Sequence, residues 1–276
     1  MDSPESAEAV HAEETDAVTK STKAHKVAKA RRSGPVRDTF GVAKFRHEAI
    51  ACILRVDPTS GVTALSIKRT HEPFKGMWAL PSGALEVSES LEQSVLRHLR
   101  TKTGLETVSH LEQLRTYSSP SRDPFDRTIA TAYMGLVSWD TTCNDDSESL
   151  SSWVPADELT VMGFDHHAIV REACERLRAK LSYTNIAYAI AAEEFTIADL
   201  RHAYGHILGY DVAPTNLQRV LTRRGQLKDT GRKTSPQRGG GRPARLFTFA
   251  AHELEITDPF ATFKPSDGSA AAQEPS

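Results

Sequence analysis

Leu80–Leu105 reads LPSGALEVSESLEQSVLRHLRTKTGL. Its second half predicts a helix over roughly Ser90–Thr103: Leu91, Val95 and Leu99 recur at i, i+4 and i+8 as one apolar stripe. Gly104 is the residue type that ends a helix in the left-handed region. On that helix His98, Thr101 and Lys102 stand at i, i+3 and i+4 and therefore share a face.

The same stretch resembles the Nudix box. That family pattern is Gly, five residues, Glu, seven residues, then Arg-Glu-U-x-Glu-Glu-x-Gly-U, with U bulky and apolar. Gly83, Glu89, Arg97, Leu99, Gly104 and Leu105 fall on it over 23 residues. The resemblance implies a structural pair between Glu89 and Arg97. It also implies three glutamates that hold magnesium against a pyrophosphate, and those positions are here His98, Thr101 and Lys102. Magnesium is a small, hard cation that takes carboxylate oxygens in near-octahedral geometry. An imidazole, a hydroxyl and an ammonium do not build that site, and Lys102 repels the ion. Without the metal there is no Lewis acid and no clamp on the attacking and leaving oxygens. The expectation is a Nudix shape with no catalytic residue, no metal and no required cofactor. The alternatives are a metal site rebuilt from Glu86, Glu92 and His98, and with it an active hydrolase of nucleoside diphosphate derivatives.

Working outward, 276 residues leave room for two modest domains with tails, and 39% hydrophobic with 25% charged residues suits a soluble globular chain. Cys52, Cys143 and Cys174 are odd in number and widely spaced, which suits a reducing cytoplasm and offers neither a zinc site nor a disulfide framework. No apolar run has the length of a membrane span. Residues 1–40 are expected to be a disordered tail, six acids up to Asp16 and then seven bases from Ala17 to Arg37. Residues 264–276, rich in Ser, Ala and Pro, read as a second tail.

Residues 41–181 read as the first domain. Ala49–Val56 is an apolar run of strand length, and Val62–Arg69 alternates as a second strand. Further strands are expected at Leu111–Tyr117 and Thr128–Val137, Ser152–Leu159 as a connecting segment, and Asp165–Leu181 as a helix N-capped by Asp165. Strands mixed with amphipathic helices predict an α/β sandwich. Pro120 lies 15 residues beyond the box, an offset that resembles a marker of ADP-ribose-cleaving Nudix proteins. Glu86 remains near the box as a further ligand-binding candidate. Arg69 and Arg122 are candidate diphosphate partners through charge-assisted bonds, and Trp78 or Phe164 a candidate adenine platform.

Residues 182–263 change character. Phe195-Thr196-Ile197-Ala198-Asp199 predicts a capped helix running to Leu208 and stopped by Gly209. Thr215–Gln218 reads as a capping box for a short helix to Arg224. Gln226–Gly231 and Pro243–Ala250 read as two strands joined by a basic loop, completing a winged helix-turn-helix. Pro214–Arg245 carries nine Lys or Arg against one acid, a net +8 in a chain whose total is −2. Such a concentration is the footprint of a polyanion binder. Asn216, Gln218, Arg219, Thr222, Arg223 and Arg224 sit on the presumed recognition helix, where Asn, Gln and Arg read base edges. Lys228, Arg232, Lys233, Arg238 and Arg242 belong to the wing and suit phosphates.

Taken together, residues 45–252 resemble the Nudix-related transcriptional regulators of NAD metabolism, the NrtR family. The resemblance rests on the box, Arg122-Asp123-Pro124, Phe164-Asp165-His166, and the segments FTIADLRHAYGHILG, PTNLQRVL and GRPARLF. It implies a homodimeric repressor on double-stranded operator DNA, with ADP-ribose or a related NAD derivative as effector.

Overall fold

The computed structural model describes residues 36–142, 150–235 and 243–258. Residues 1–35 of the first expected tail, all of the second, and Cys143, Arg238 and Arg242 lie outside the described residues. The fold is built on β1 (Arg46–Asp57), which runs parallel to β6 (Thr128–Val137). On its other edge β1 is antiparallel to β2 (Gly61–Lys68) along its second half and to β4 (Ser82–Ala84) along its first. β3 (Trp78–Ala79) and β7 (Ser151–Pro155) pair with β2, and β5 (His110–Tyr117) with β6, in one seven-stranded mixed sheet. The segment expected to connect, Ser152–Leu159, is thus partly strand. The pairing of β7 with β2 is a long-range contact that local pattern does not carry.

Strand geometry sends alternate residues of β1 to opposite faces. Ala49, Ala51 and Ile53 pack with Val95 and Leu99 of α1 (Leu91–Thr103), whereas Ile50, Cys52 and Leu54 pack with Ile169, Ala173 and Leu177 of α2 (His166–Tyr183). Both faces are covered, which is why this strand is continuously apolar rather than alternating. The layers are helix, sheet, helix. α1 begins with a Ser90 capping box and ends at Gly104, φ 71°.

β5 is fastened to α2 through Glu112, whose carboxylate meets His110 at 3.0 Å, Arg176 at 3.2 Å and Lys180 at 2.8 Å. Burial raises the Glu112 pKa, but His110 and Lys180 bring it down to about 2. A depressed folded pKa means that this contribution is complete above the ordinary value of 4.5 and is lost as pH falls toward 2. Glu112→Gln is therefore expected to cost about 2 kcal/mol at neutral pH. Thermal melts at pH 7 and pH 3 should show the gap from wild type closing in acid. An equal gap at both pH values rules the assignment out.

The core does not stop at α2. A 3-10 turn, Ile186–Ala189, leads into α3 (Ile197–Leu208) and α4 (Pro214–Arg223), then the hairpin β8 (Leu227–Lys233) and β9 (Arg245–Phe249). Ile186, Ile190, Phe195, Leu200, Ile207, Leu217 and Phe249 join the same apolar cluster as Leu177. Arg178 of α2 donates to the Ile207 carbonyl at 2.8 Å, and the Trp139 N–H to Ile190 at 2.9 Å. Thr196 and Asp199 form the expected capping box on α3. The cap expected on α4 is corrected. α4 starts one residue earlier than Thr215, with Pro214 in its first turn and Ala213 as an N-cap without a side-chain bond. Asp165 holds the N-cap position of α2 as expected but makes no side-chain cap hydrogen bond, its carboxylate being engaged with Arg122. No helix among the described residues is long and apolar enough to cross a membrane.

Candidate functional site

α1 lies against β4 through a match of two spacings. Residues i and i+4 of a helix are about 6 Å apart along its axis, close to the ~6.6 Å between alternate residues of a strand. His98 accordingly donates to the Ala84 carbonyl at 3.0 Å, and Lys102 to the Ser82 carbonyl. Gly83 between them has to be glycine, since an added Cβ would stand 2.2 Å from the His98 ring. Thr101 turns back to the Arg97 carbonyl at 2.7 Å. Arg97 forks onto Glu89, 2.8 Å from Nε, and reaches the Ala84 carbonyl at 3.1 Å, so the pair braces the loop before α1. The guanidinium holds Glu89 down at about 2.

This donor set does not fit magnesium. Burial lowers the His98 pKa and keeps the imidazole neutral, its Nε2 committed to a carbonyl. Glu86 and Glu92 are exposed, and among the described residues no three His, Cys, Asp or Glu side chains are gathered to hold an ion.

Beside β3, at the end of β2, stand Lys68 and Arg69. Arg69 donates from Nε to the Pro73 carbonyl at 2.7 Å and lies 4.8 Å over the Phe164 ring. Phe164 in turn meets Phe74 edge-on at 5.0 Å. Phe74 and Phe164 both have positive φ, 65° and 59°, a conformation costly for a bulky residue and one that concentrates at functional sites. Trp78 is half-buried on the core with Lys68 5.1 Å over its ring, so one face of the expected adenine platform is already covered. Pro120 is exposed in the turn between β5 and β6, and Glu86 is exposed at the loop before α1.

Arg122, expected at a diphosphate, is paired with an acid in this structure. Its side chain is 2% exposed and forks onto Asp165, 3.1 Å from Nε and 2.8 Å from the terminal nitrogen. Asp123 beside it accepts from the Phe125 N–H and the Thr128 hydroxyl, so this turn is folded by its own acid and tied to the start of α2 by its own arginine. His166 follows Asp165. Burial pushes its pKa down to about 3, and its unprotonated Nδ1 accepts the Leu80 N–H at 2.9 Å. The first turn of α2 thus holds both the β3–β4 corner and the Arg122 loop, while its far half contacts the winged module.

On α4, Leu217 and Leu221 are buried. Asn216, Arg219, Thr222 and Arg223 are exposed on the opposite arc with Gln218 at its edge, and Arg219 donates to Asn216 at 2.8 Å. Arg224 is corrected: it meets Asp258 at 2.8 Å and the Ser182 carbonyl at 3.2 Å, an internal brace rather than an outward contact. It lies three residues after Leu221 and seven after Leu217, hence on the buried side. On the hairpin, Lys228, Arg232 and Lys233 are exposed, with Arg232 resting on Glu194 at 3.0 Å.

These two units have counterparts among known proteins. A NUDIX domain family model matches residues 45–176, and an NrtR DNA-binding winged helix domain model matches residues 188–249. The ADPR responsive transcriptional repressor NtrR of Acinetobacter baylyi is 29% identical over 200 residues, 71% of this chain and 78% of its own. An ADP-ribose pyrophosphatase of Methanocaldococcus jannaschii is 31% identical over 138 residues, 49% of this chain and 79% of its own. The crystal structure of Shewanella oneidensis NrtR complexed with a 27mer DNA is 31% identical, covering 73% of this chain and 92% of that one at a TM-score of 0.65. With the two domain models matched in order along one polypeptide and a solved relative matched over most of its length, the chain belongs to the NrtR family.

Proposed function

We propose that this chain is a cytoplasmic, homodimeric repressor of NAD biosynthesis or salvage genes, with ADP-ribose or a related NAD derivative as its effector. The observation that carries it is one continuous core joining an exposed, basic recognition helix to a Nudix-type cleft whose metal positions are His98, Thr101 and Lys102. A two-fold dimer suits a palindromic operator, one winged helix per half-site. The cleft binds rather than hydrolyses, for want of a metal site.

Effector binding reaches DNA through α2. It is an 18-residue rod, about 27 Å long, with one end on the cleft through Asp165 and His166 and the other on α3 through Arg178. A ligand that prefers one setting of this rod shifts the winged helices away from operator spacing. The coupling has to be reciprocal, so operator DNA weakens effector binding by the same factor. Fluorescence anisotropy of a labelled duplex from the gene's own upstream region, at stated salt, is expected to show specific binding that ADP-ribose releases. Equal binding of a scrambled duplex sinks the repressor. The pyrophosphatase relative supports a second reading, a hydrolase. Magnesium-dependent turnover lost in Glu86→Gln or Glu92→Gln would favour it.

A further inference from the structure

Lys102 stands at the third of the metal-binding box positions, and the structure shows what its charge does there. The residue is exposed, and its ammonium donates to the Ser82 carbonyl in β4. Arg69, whose charge reaches Lys102, donates from two of its nitrogens to the Pro73 and His71 carbonyls. Among the described residues neither cation makes a salt bridge. Glu48, the carboxylate whose field reaches both, is itself taken by Arg46 at 2.7 Å. Desolvating a cation without a counter-ion is unfavourable, and burial holds the pKa of both side chains below their ordinary values. Two cations whose charges reach each other, hydrogen-bonded to carbonyl oxygens and with Arg69 also over the Phe164 ring, suit a doubly charged anion. The charge comes from the protein itself, on a helix position fixed by the β4 spacing.

We infer that Lys102 is a tethered cation in the metal's place, so that the effector's diphosphate is held by Lys102 and Arg69 with no divalent ion. The inference rests on the reading of the chain as ADP-ribose-responsive. An ammonium offers charge and hydrogen-bond donors, but it has no open coordination position to activate water. The substitution that removes hydrolysis therefore also supplies binding.

Calorimetric titration of ADP-ribose into the full-length protein tests this, in excess EDTA and in magnesium, for wild type, Lys102→Met and Lys102→Arg. Wild type is expected to bind with the same Kd in both buffers. Lys102→Met is expected to weaken binding about tenfold to hundredfold, the range of a lost charge-assisted bond, while Lys102→Arg stays within a few-fold. The melting temperature of the ligand-free variants should stay close to wild type, because Lys102 is an exposed residue whose loss costs one surface hydrogen bond. Wild-type binding that vanishes in EDTA overturns the inference, and so does Lys102→Met binding like wild type. Absence of ADP-ribose binding to wild type in both buffers overturns the effector reading itself and this inference with it.

Discussion

Arg219→Ala combined with Arg223→Ala is expected to remove sequence-specific duplex binding while leaving the fold and effector binding intact. Both side chains are exposed on the α4 arc opposite Leu217 and Leu221, so truncation opens no cavity. Each arginine that reaches a base edge discriminates by about 1–3 kcal/mol, so the pair spans roughly one and a half to four decades in Kd. Arg219 also orients Asn216 through its 2.8 Å bond, and losing it frees the amide to rotate. Anisotropy across a salt series separates the roles. An arginine that reads a base edge, once truncated, relaxes the preference for the operator over a scrambled duplex. One that holds a phosphate weakens both alike and lowers the salt slope by about one. Arg224→Ala serves as the internal comparison: its partners are Asp258 and Ser182, so it should lower the melting temperature and leave the salt slope alone. A double variant that still prefers the operator as wild type does would remove α4 as the reading element.

The sequence made some of this legible and hid the rest for physical reasons. β1 was visible because a strand covered on both faces is apolar at every position, and α1 because its stripe, Ser90 and Gly104 agree. β3 and β4 had no signal: they are two and three residues long and exist only as partners of β2 and β1. The α3 cap was readable in Thr196 and Asp199, whereas Pro214 moved the start of α4, since proline suits a first helical turn. The inward turn of Arg224 was available from helical phase against Leu217 and Leu221, although residue type alone suggested DNA. The contact of Lys102 with β4 needs the helix and strand side by side. So does the Arg122–Asp165 pair, whose members are 43 residues apart.

That pair carries the other large effect. Asp165→Ala leaves the Arg122 guanidinium, 2% exposed, without its carboxylate, and stranding a buried charge costs about 3–5 kcal/mol. Arg122→Ala should cost less, because it removes the buried charge and leaves Asp165, 25% exposed, able to turn to water. The double variant should therefore be more stable than the sum of the two single losses, a coupling that urea unfolding measures directly. The expected functional result follows from where the pair sits. It fastens the turn carrying Pro120 to the first turn of α2, next to His166 and its hold on Leu80. Breaking it loosens the wall of the cleft and the rod leading to the winged module together. Asp165→Ala is thus expected to weaken ADP-ribose binding and its release of DNA in step with the loss of stability. If instead Arg122→Ala abolished ADP-ribose binding while unfolding at the wild-type urea concentration, Arg122 would be a direct diphosphate contact and the internal pair a resting arrangement that the ligand displaces.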